Sequence, residues 1–141
     1  MLEILVPDTF EMKLSEIQPS QLYISKKKLA KVNRFFDPKN KETLGIIPIK
    51  KLGKDIIYSD GHTRAVSAFL AGYKEITVEW EDEDLDWEMY ETCLQWCKDD
   101  KIFSIEDLAK RIISHKDYKL LWYKKCEIMQ KEIIMKRAGK I

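Results

Sequence analysis

Glycine and proline are scarce in this chain, five and four in 141 residues. That excludes collagen-like and low-complexity chains and leaves few places for tight turns. Cysteine is scarcer, at three. A small odd number is no disulfide framework, and it fits the reducing cytoplasm. No apolar run approaches the roughly 20 residues that cross a bilayer, so no membrane association is expected. Residues 1–10 are acidic and interrupted by Pro7, unlike a signal peptide. Net charge is almost absent, because 25 Lys and Arg stand against 24 Asp and Glu. A uniformly basic nucleic-acid coat is thereby excluded.

What is present describes a folded protein. The chain is 45% apolar and 35% charged, and its length suits one domain or a small domain with an appendage. The charge is segregated. Residues 1–78 hold 13 basic and 9 acidic side chains, residues 79–100 hold 1 and 10, and residues 101–141 hold 11 and 5. A mildly basic half therefore precedes a strongly acidic stretch and a basic tail.

The first half punctuates like a small α/β unit. Residues 12–17 alternate apolar and polar, as a half-buried strand does, and Pro19-Ser20 ends it. Ser25 suits the N-cap of a helix carrying Leu29, Val32, Phe35 and Phe36 on one face and stopping before Asp37-Pro38. Residues 46–49 form an apolar run in which Pro48 cannot donate to a ladder, which predicts an edge position or a strand start. Residues 52–55 read as a hairpin turn into a strand over 56–59. A helix from Thr63 is expected to bury Val66, Phe69 and Leu70 and to end before Gly72. Residues 76–80 are the last strand.

The second half is helical. Leu85, Met89, Cys93 and Trp96 keep helical spacing on an acidic scaffold. Residues 104–107 resemble a capping box, with Asp107 in place of Glu, opening a short helix through Ile113. Ser114 suits the cap of a final long helix with Tyr118, Trp122, Cys126, Met129 and Ile133 as one stripe. Leu121 and Ile128 widen that stripe, so the core or a second subunit must cover it. A homodimer through this helix is one expectation. The domain reading is a core over 1–80 and a helical extension over 81–141.

The segment Asp60-Gly61-His62-Thr63-Arg64 carries the chemistry. A strand turning into a helix leaves backbone N–H groups without intrahelical partners at the positive end of the helix dipole, which is an anion site. Gly61 permits close approach or positive φ. Arg64 in the first turn can fork two phosphate oxygens. Asp60 can hold a cation or accept a hydroxyl proton, and His62 can donate to a phosphate or leaving group. The bland alternative makes Asp60 a cap, Gly61 a turn and Arg64 an ion-pair partner. Against it, a cation in a first helical turn is locally unfavourable, and such violations concentrate at functional sites. Lys26-Lys27-Lys28 and Lys50-Lys51 are either solvated basic faces or arms converging on this turn.

Residues 17–22 (Ile-Gln-Pro-Ser-Gln-Leu), Pro48-Ile49, Asp60-Gly61-His62-Thr63-Arg64-Ala65 and Leu70-Ala71-Gly72, in that order, resemble the ParB/sulfiredoxin-like superfamily over roughly residues 12–80. The resemblance implies a small mixed α+β (or α/β) sheet with packed helices and a pocket binding nucleotide phosphates at the glycine turn. Its binding set would be Gly61, His62, Thr63 and Arg64 with Gln21 and Lys50, and its catalytic pair Asp60 and His62. The ligand would be ATP, ADP or CTP, or another phosphorylated small molecule, with Mg²⁺ and with Asp60 as a metal-ligand candidate. The branches differ. Sulfiredoxins place a reactive cysteine after the turn glycine, where this chain has His62, so sulfinic-acid reduction is not expected. Free-serine kinases share an Asp-Gly-His-His-Arg-like turn but use a Glu two residues after the early proline, where this chain has Gln21. Chromosome-partition proteins read Gly-Glu-Arg-Arg, so only Gly61 and Arg64 match, and they append a DNA-reading helix-turn-helix.

Residues 104–112 resemble the first helix of such a motif, but Ile113-Ser114-His115 lacks the turn glycine. DNA is thus the partner of a competing, non-enzymatic adaptor reading. Cys93, Cys97, Cys126 and His115 lack a zinc-ligand pattern, and buried thiols are the better expectation. Trp80, Trp87, Trp96 and Trp122 read as core or interface groups. The acidic run 81–84 is a solvated helix start or a Mg²⁺ ligand set beside the pocket.

Overall fold

A computed structural model describes residues 8–140. Most of the acidic, Pro7-containing start lies outside those residues. The fold is mixed α+β. Strand β1 (Thr9–Lys13) runs into a 3₁₀ turn over Leu14–Glu16, and β2 (Ile24–Ser25) leads into helix α1 (Lys26–Phe35). Strands β3 (Ile47–Leu52) and β4 (Asp55–Tyr58) form a hairpin, then come α2 (His62–Leu70) and β5 (Glu75–Trp80). Helix α3 (Trp87–Asp99), the single turn α4 (Ile105–Leu108) and β6 (Ile112–Ile113) follow. A last helical rod comprises α5 (His115–Tyr118), a π-helical turn over Lys119–Tyr123 and α6 (Lys124–Arg137).

The main sheet has the order β1-β5-β3-β4, with β3 and β5 parallel and the outer pairs antiparallel. A parallel pair needs a crossover, and α2 supplies it, burying Ala65, Val66 and Ala68. The segment after the 3₁₀ turn lies against β4. Gln18 N–H donates to Ile56 at 2.7 Å, and Tyr58 N–H donates to the Gln18 carbonyl at 3.3 Å. This pairing carries Ser20 and Gln21 to the end of β4, where α2 begins. Residues 1–80 and 81–141 share one apolar cluster from Leu14 to Met129, and β6 pairs in parallel with β2.

Several expectations from the sequence are corrected. The strand placed over 12–17 ends at Lys13, because Leu14 and Ile17 are both buried and their spacing of three suits a 3₁₀ turn rather than a pleat. Of the two positions open to Pro48 the strand start holds and the edge does not: β3 lies inside the sheet, and Pro48 is its second residue, with its carbonyl accepting from Ser59 N–H at 3.2 Å. Phe35 and Leu70 face water, while Phe36, one residue past the end of α1, is buried. The short helix expected through Ile113 stops at Leu108, since the β-branched pair Ile112-Ile113 joins β2 instead. Ser104 makes no capping bond; Asp107 accepts from Phe103 N–H at 2.9 Å. Two caps hold as read: Ser25 accepts from Lys28 N–H and Ser114 from Asp117 N–H, each at 3.2 Å. Tyr118, Trp122 and Met129 are buried as the stripe required, whereas Leu121 and Ile128 are about half exposed.

Candidate functional site

The turn after β4 is built around Gly61. Its φ of +84° puts it in the left-handed region as the N-cap of α2. A Cβ there would lie 3.1 Å from Ile47 Cγ2 and 3.1 Å from Arg64 Nη2, so glycine is required for space as well as for conformation. Gly61 N–H is taken by Asp60 Oδ1 at 2.7 Å. The N–H groups of His62, Thr63 and Arg64 have no acceptor among the described residues, and Ala65 N–H makes the first helical bond, to Gly61. Three donors at the positive end of a nine-residue helix are thus available to an anion.

Arg64 is less free than the sequence implied. Its Nη1 donates to the carbonyls of Leu44 at 3.3 Å and Ile46 at 3.1 Å. A Cβ on Gly45 would stand 3.0 Å from the same atom, so the guanidinium is clamped between two glycines. Charged hydrogen bonds of this kind contribute about 1.5–3 kcal/mol each when sheltered, less for a half-exposed group. Arg64 therefore ties the 44–46 loop to the start of α2, and what remains for a ligand is the other edge of its fork. It has no carboxylate partner among the described residues.

Beside the turn lies a cleft of about 230 Å³ that brings together Gln21, Asp60 and His62 with Ser20, Ser59, Tyr90 and Asp86. Helix α3 and the rod close it with Met89, Cys93, Trp122 and Met129. Lys50, Gly61, Thr63 and Arg64 do not line it. His62 is buried, and its Nε2 accepts from Ser20 N–H at 3.0 Å. A backbone amide can only donate, so the ring's proton sits on Nδ1, and only that atom can offer a hydrogen bond to a ligand. Burial holds the imidazole neutral, with its pKa lowered to about 3 despite the opposing pull of Asp60. In this neutral form His62 offers a ligand a hydrogen bond rather than a charge. Gln21 donates to the Tyr23 carbonyl at 2.8 Å and to Tyr118 Oη at 3.0 Å, so its amide braces the wall of the cleft.

The charge around the cleft is negative. Asp60 is exposed, Ser59 donates to Glu81 at 2.8 Å, and Asp86 is held well below the usual carboxylate range, chiefly by its hydrogen bonds with Arg137. Lys50 Nζ stands over the Trp87 ring at 4.7 Å, and Trp87 packs on Tyr90 at 5.2 Å. Lys28 Nζ lies over Tyr118 and Tyr123 at 5.4 and 5.7 Å. Lys28 and Lys50 thus lie on aromatic faces and not at Gly61. Of the acidic run, Glu81 is the member that reaches the turn.

Two features escaped the sequence. Cys93 and Cys126, absent from the turn's neighbourhood in the chain, both border the cleft because α3 and the rod fold over it. The Cys93 thiol is pushed up, first by its hydrogen bond with Cys126 and then by burial, so it is a poor nucleophile. Tyr58, whose ring lies 5.1 Å from that of His62, has a buried hydroxyl with no hydrogen-bond partner among the described residues. Nothing in the sequence signals either one. Among the described residues, no group of three or more His, Cys, Asp or Glu is arranged to hold a metal by itself.

The fold and the turn together define a mixed α+β protein with an anion-receptive helix start above a small acidic cleft. No family model and no curated protein matches the chain. Among solved structures it is similar to protein Atu1540 from Agrobacterium tumefaciens, at 13% identity and a TM-score of 0.46, over 71% of this chain. The similar part spans 61% of that chain. No helix among the described residues is long and apolar enough to cross a membrane.

Proposed function

We propose that this chain is a ParB/sulfiredoxin-like domain that binds a nucleotide or another phosphate-bearing small molecule, with Mg²⁺, at the Asp60–Arg64 turn. One observation carries the reading: Gly61, at φ +84°, opens α2 with the N–H groups of residues 62–64 unclaimed. A terminal phosphate accepts from these amides and from His62 Nδ1–H. The cleft is smaller than the roughly 300–1,000 Å³ of whole-ligand pockets, so the rest of the ligand lies outside it. The Trp87–Tyr90 pair with Lys50 is the adjoining shelf. Carboxylates repel a bare phosphate, so Asp60 and Glu81 make a cation part of the reading. Mg²⁺ commonly binds through one or two carboxylates plus the ligand's own phosphates. Phosphotransfer would need a base, and Asp60 is the exposed carboxylate in the cleft, whereas Gln21 cannot serve. Three free thiols agree with a cytoplasmic setting.

Isothermal titration with ATP, ADP and CTP, each with and without Mg²⁺, tests this directly. The expected result is binding of at least one of them that needs Mg²⁺ and weakens about tenfold or more in Asp60→Asn. No heat with any of the three would overturn the nucleotide reading. Binding untouched by Asp60→Asn and Arg64→Ala would move the site elsewhere.

A further inference from the structure

We propose that the chain pairs with a second copy of itself, the outer face of each helical rod seating in an acidic groove at the β1–β5 edge of the other copy. The rod of residues 115–137 is about 34 Å long at 1.5 Å per residue. Its inner stripe is buried, but Leu121, Ile128 and Met135, seven residues apart, are 48%, 49% and 43% exposed. Leu120 and Ile134 are each 56% exposed. Scattered apolar surface residues need no explanation, but a line of them along one helix marks a docking face. Lys124 and Lys131 interrupt that line at the intervening positions, both exposed, with Lys131 in a solvent-screened pair with Glu127 at 3.0 Å. A seam between two such rods would bring lysine against lysine, which favours an acidic counterpart.

The chain carries that counterpart. A groove of about 620 Å³ has Phe10 and Trp80 as an aromatic floor, their rings 5.7 Å apart and 38% and 50% exposed. Asp8, Glu79, Glu81 and Asp82 surround the floor. Asp8, Glu79 and Asp82 form no ion pair among the described residues. Among the described residues strand β1 is an edge strand, and no described residue of the chain's own rod lines the groove. Leu, Ile and Met side chains match its floor and lysines match its rim. Every copy offers both rod and groove; the proposed pair is the reciprocal two-fold arrangement in which each rod seats in the other's groove, whereas head-to-tail seating would give open chains larger than a dimer.

Sedimentation velocity over a concentration series, at low and high salt, decides the matter. The wild type should form a dimer that high salt weakens. Leu121→Glu with Ile128→Glu should weaken it about tenfold or more while leaving the circular-dichroism melting curve in place, both sites being exposed. Lys124→Glu with Lys131→Glu should do the same, and so should Glu79→Lys with Asp82→Lys. Mixing those two charge-reversed proteins should restore a dimer that neither forms alone. A wild type that stays monomeric at high micromolar concentration overturns the proposal. So does a dimer indifferent to all three variants, or a monomer that instead sediments with anionic vesicles through the same lysines.

Discussion

The sheet half and the helical half of this protein break opposite rules. All seven buried polar residues among those described, from Gln18 to Ser67, belong to the sheet half. Exposed large apolar side chains lean the other way: of twelve among the described residues, seven lie from residue 103 onward, each at least 43% exposed, and five in the sheet half. Buried polar groups are costly unless hydrogen-bonded, and three of the seven, Ser20, Ser59 and His62, bond within the turn region, while Gln18 reaches the Ile102 carbonyl, Ser25 caps α1 and Ser67 bonds Asn33. The helical half encloses that place with one face and leaves its other face apolar. The first half builds a pocket with geometry; the second half walls it and keeps a surface in reserve.

Neighbouring residues on the rod sharpen this contrast most. Trp122 is 7% exposed and meets Trp96 edge-on at 6.2 Å, whereas Leu121 is 48% exposed. Trp122→Ala should cost about 3–5 kcal/mol in urea unfolding. Leu121→Ala should stay within about 0.5 kcal/mol in the monomer. Comparable losses at both positions would mean that the rod is core on all sides, and the division between the halves would fail.

In the sheet half the matching test is Gly61→Val. Positive φ strains a β-branched residue by about 1–2 kcal/mol, and its side chain would press on Ile47 and dislodge Arg64 from the Leu44 and Ile46 carbonyls. A total near 2–4 kcal/mol is expected from urea midpoints at unchanged slope. A loss under about 0.5 kcal/mol would mean that the turn relaxes easily and is not a built site.

These two positions also mark what could be read in advance. The turn was legible because one glycine between a strand and a helix is a local signal, and Ser25 and Ser114 are local caps. Arg64's engagement was not legible, since its acceptors, Leu44 and Ile46, belong to a loop placed by the tertiary fold. Nor was the covering of the cleft by Cys93 and Cys126, which lie 33 residues or more beyond Asp60 in the chain. The helix read through Ile113 failed for the same reason, because pairing with β2 outweighed its periodicity.

Protonation separates the halves more gently. The His62 pKa falls from 6.5 to about 3 in the folded protein. Between those values the unfolded chain binds a proton that the native state refuses, so stability is complete above pH 6.5 and declines as pH falls toward 3. The slope from this group is about 1.4 kcal/mol per pH unit inside that window. His62→Gln, which can still accept from Ser20 N–H, should flatten it by that amount in urea titrations at pH 7, 6, 5 and 4. An unchanged slope would show that His62 takes up its proton without unfolding, and the polar interior of the sheet half would be softer than its hydrogen bonds imply.

Thiol reactivity gives the smallest and most local comparison, across the seam where the halves meet. Cys126 is half-buried on the rod, and its pKa is lowered by the hydrogen bond from Cys93 and by Lys125, against an opposing effect of burial. Cys97 is fully buried, with its thiol pushed up to about 12 by burial, and bonds to the Gln21 carbonyl at 3.5 Å. The thiolate is the reactive form, so iodoacetamide near pH 8 should label Cys126 first, with Cys93 and Cys97 following only as the protein unfolds. Peptide mass mapping over time reads the order. A ligand seated in the cleft should slow Cys126 further, because that side chain borders it. Equal rates at all three cysteines would mean that the rod lifts away from α3 on the labelling timescale. The pocket would then have a mobile wall, and its geometry would belong to the sheet half alone.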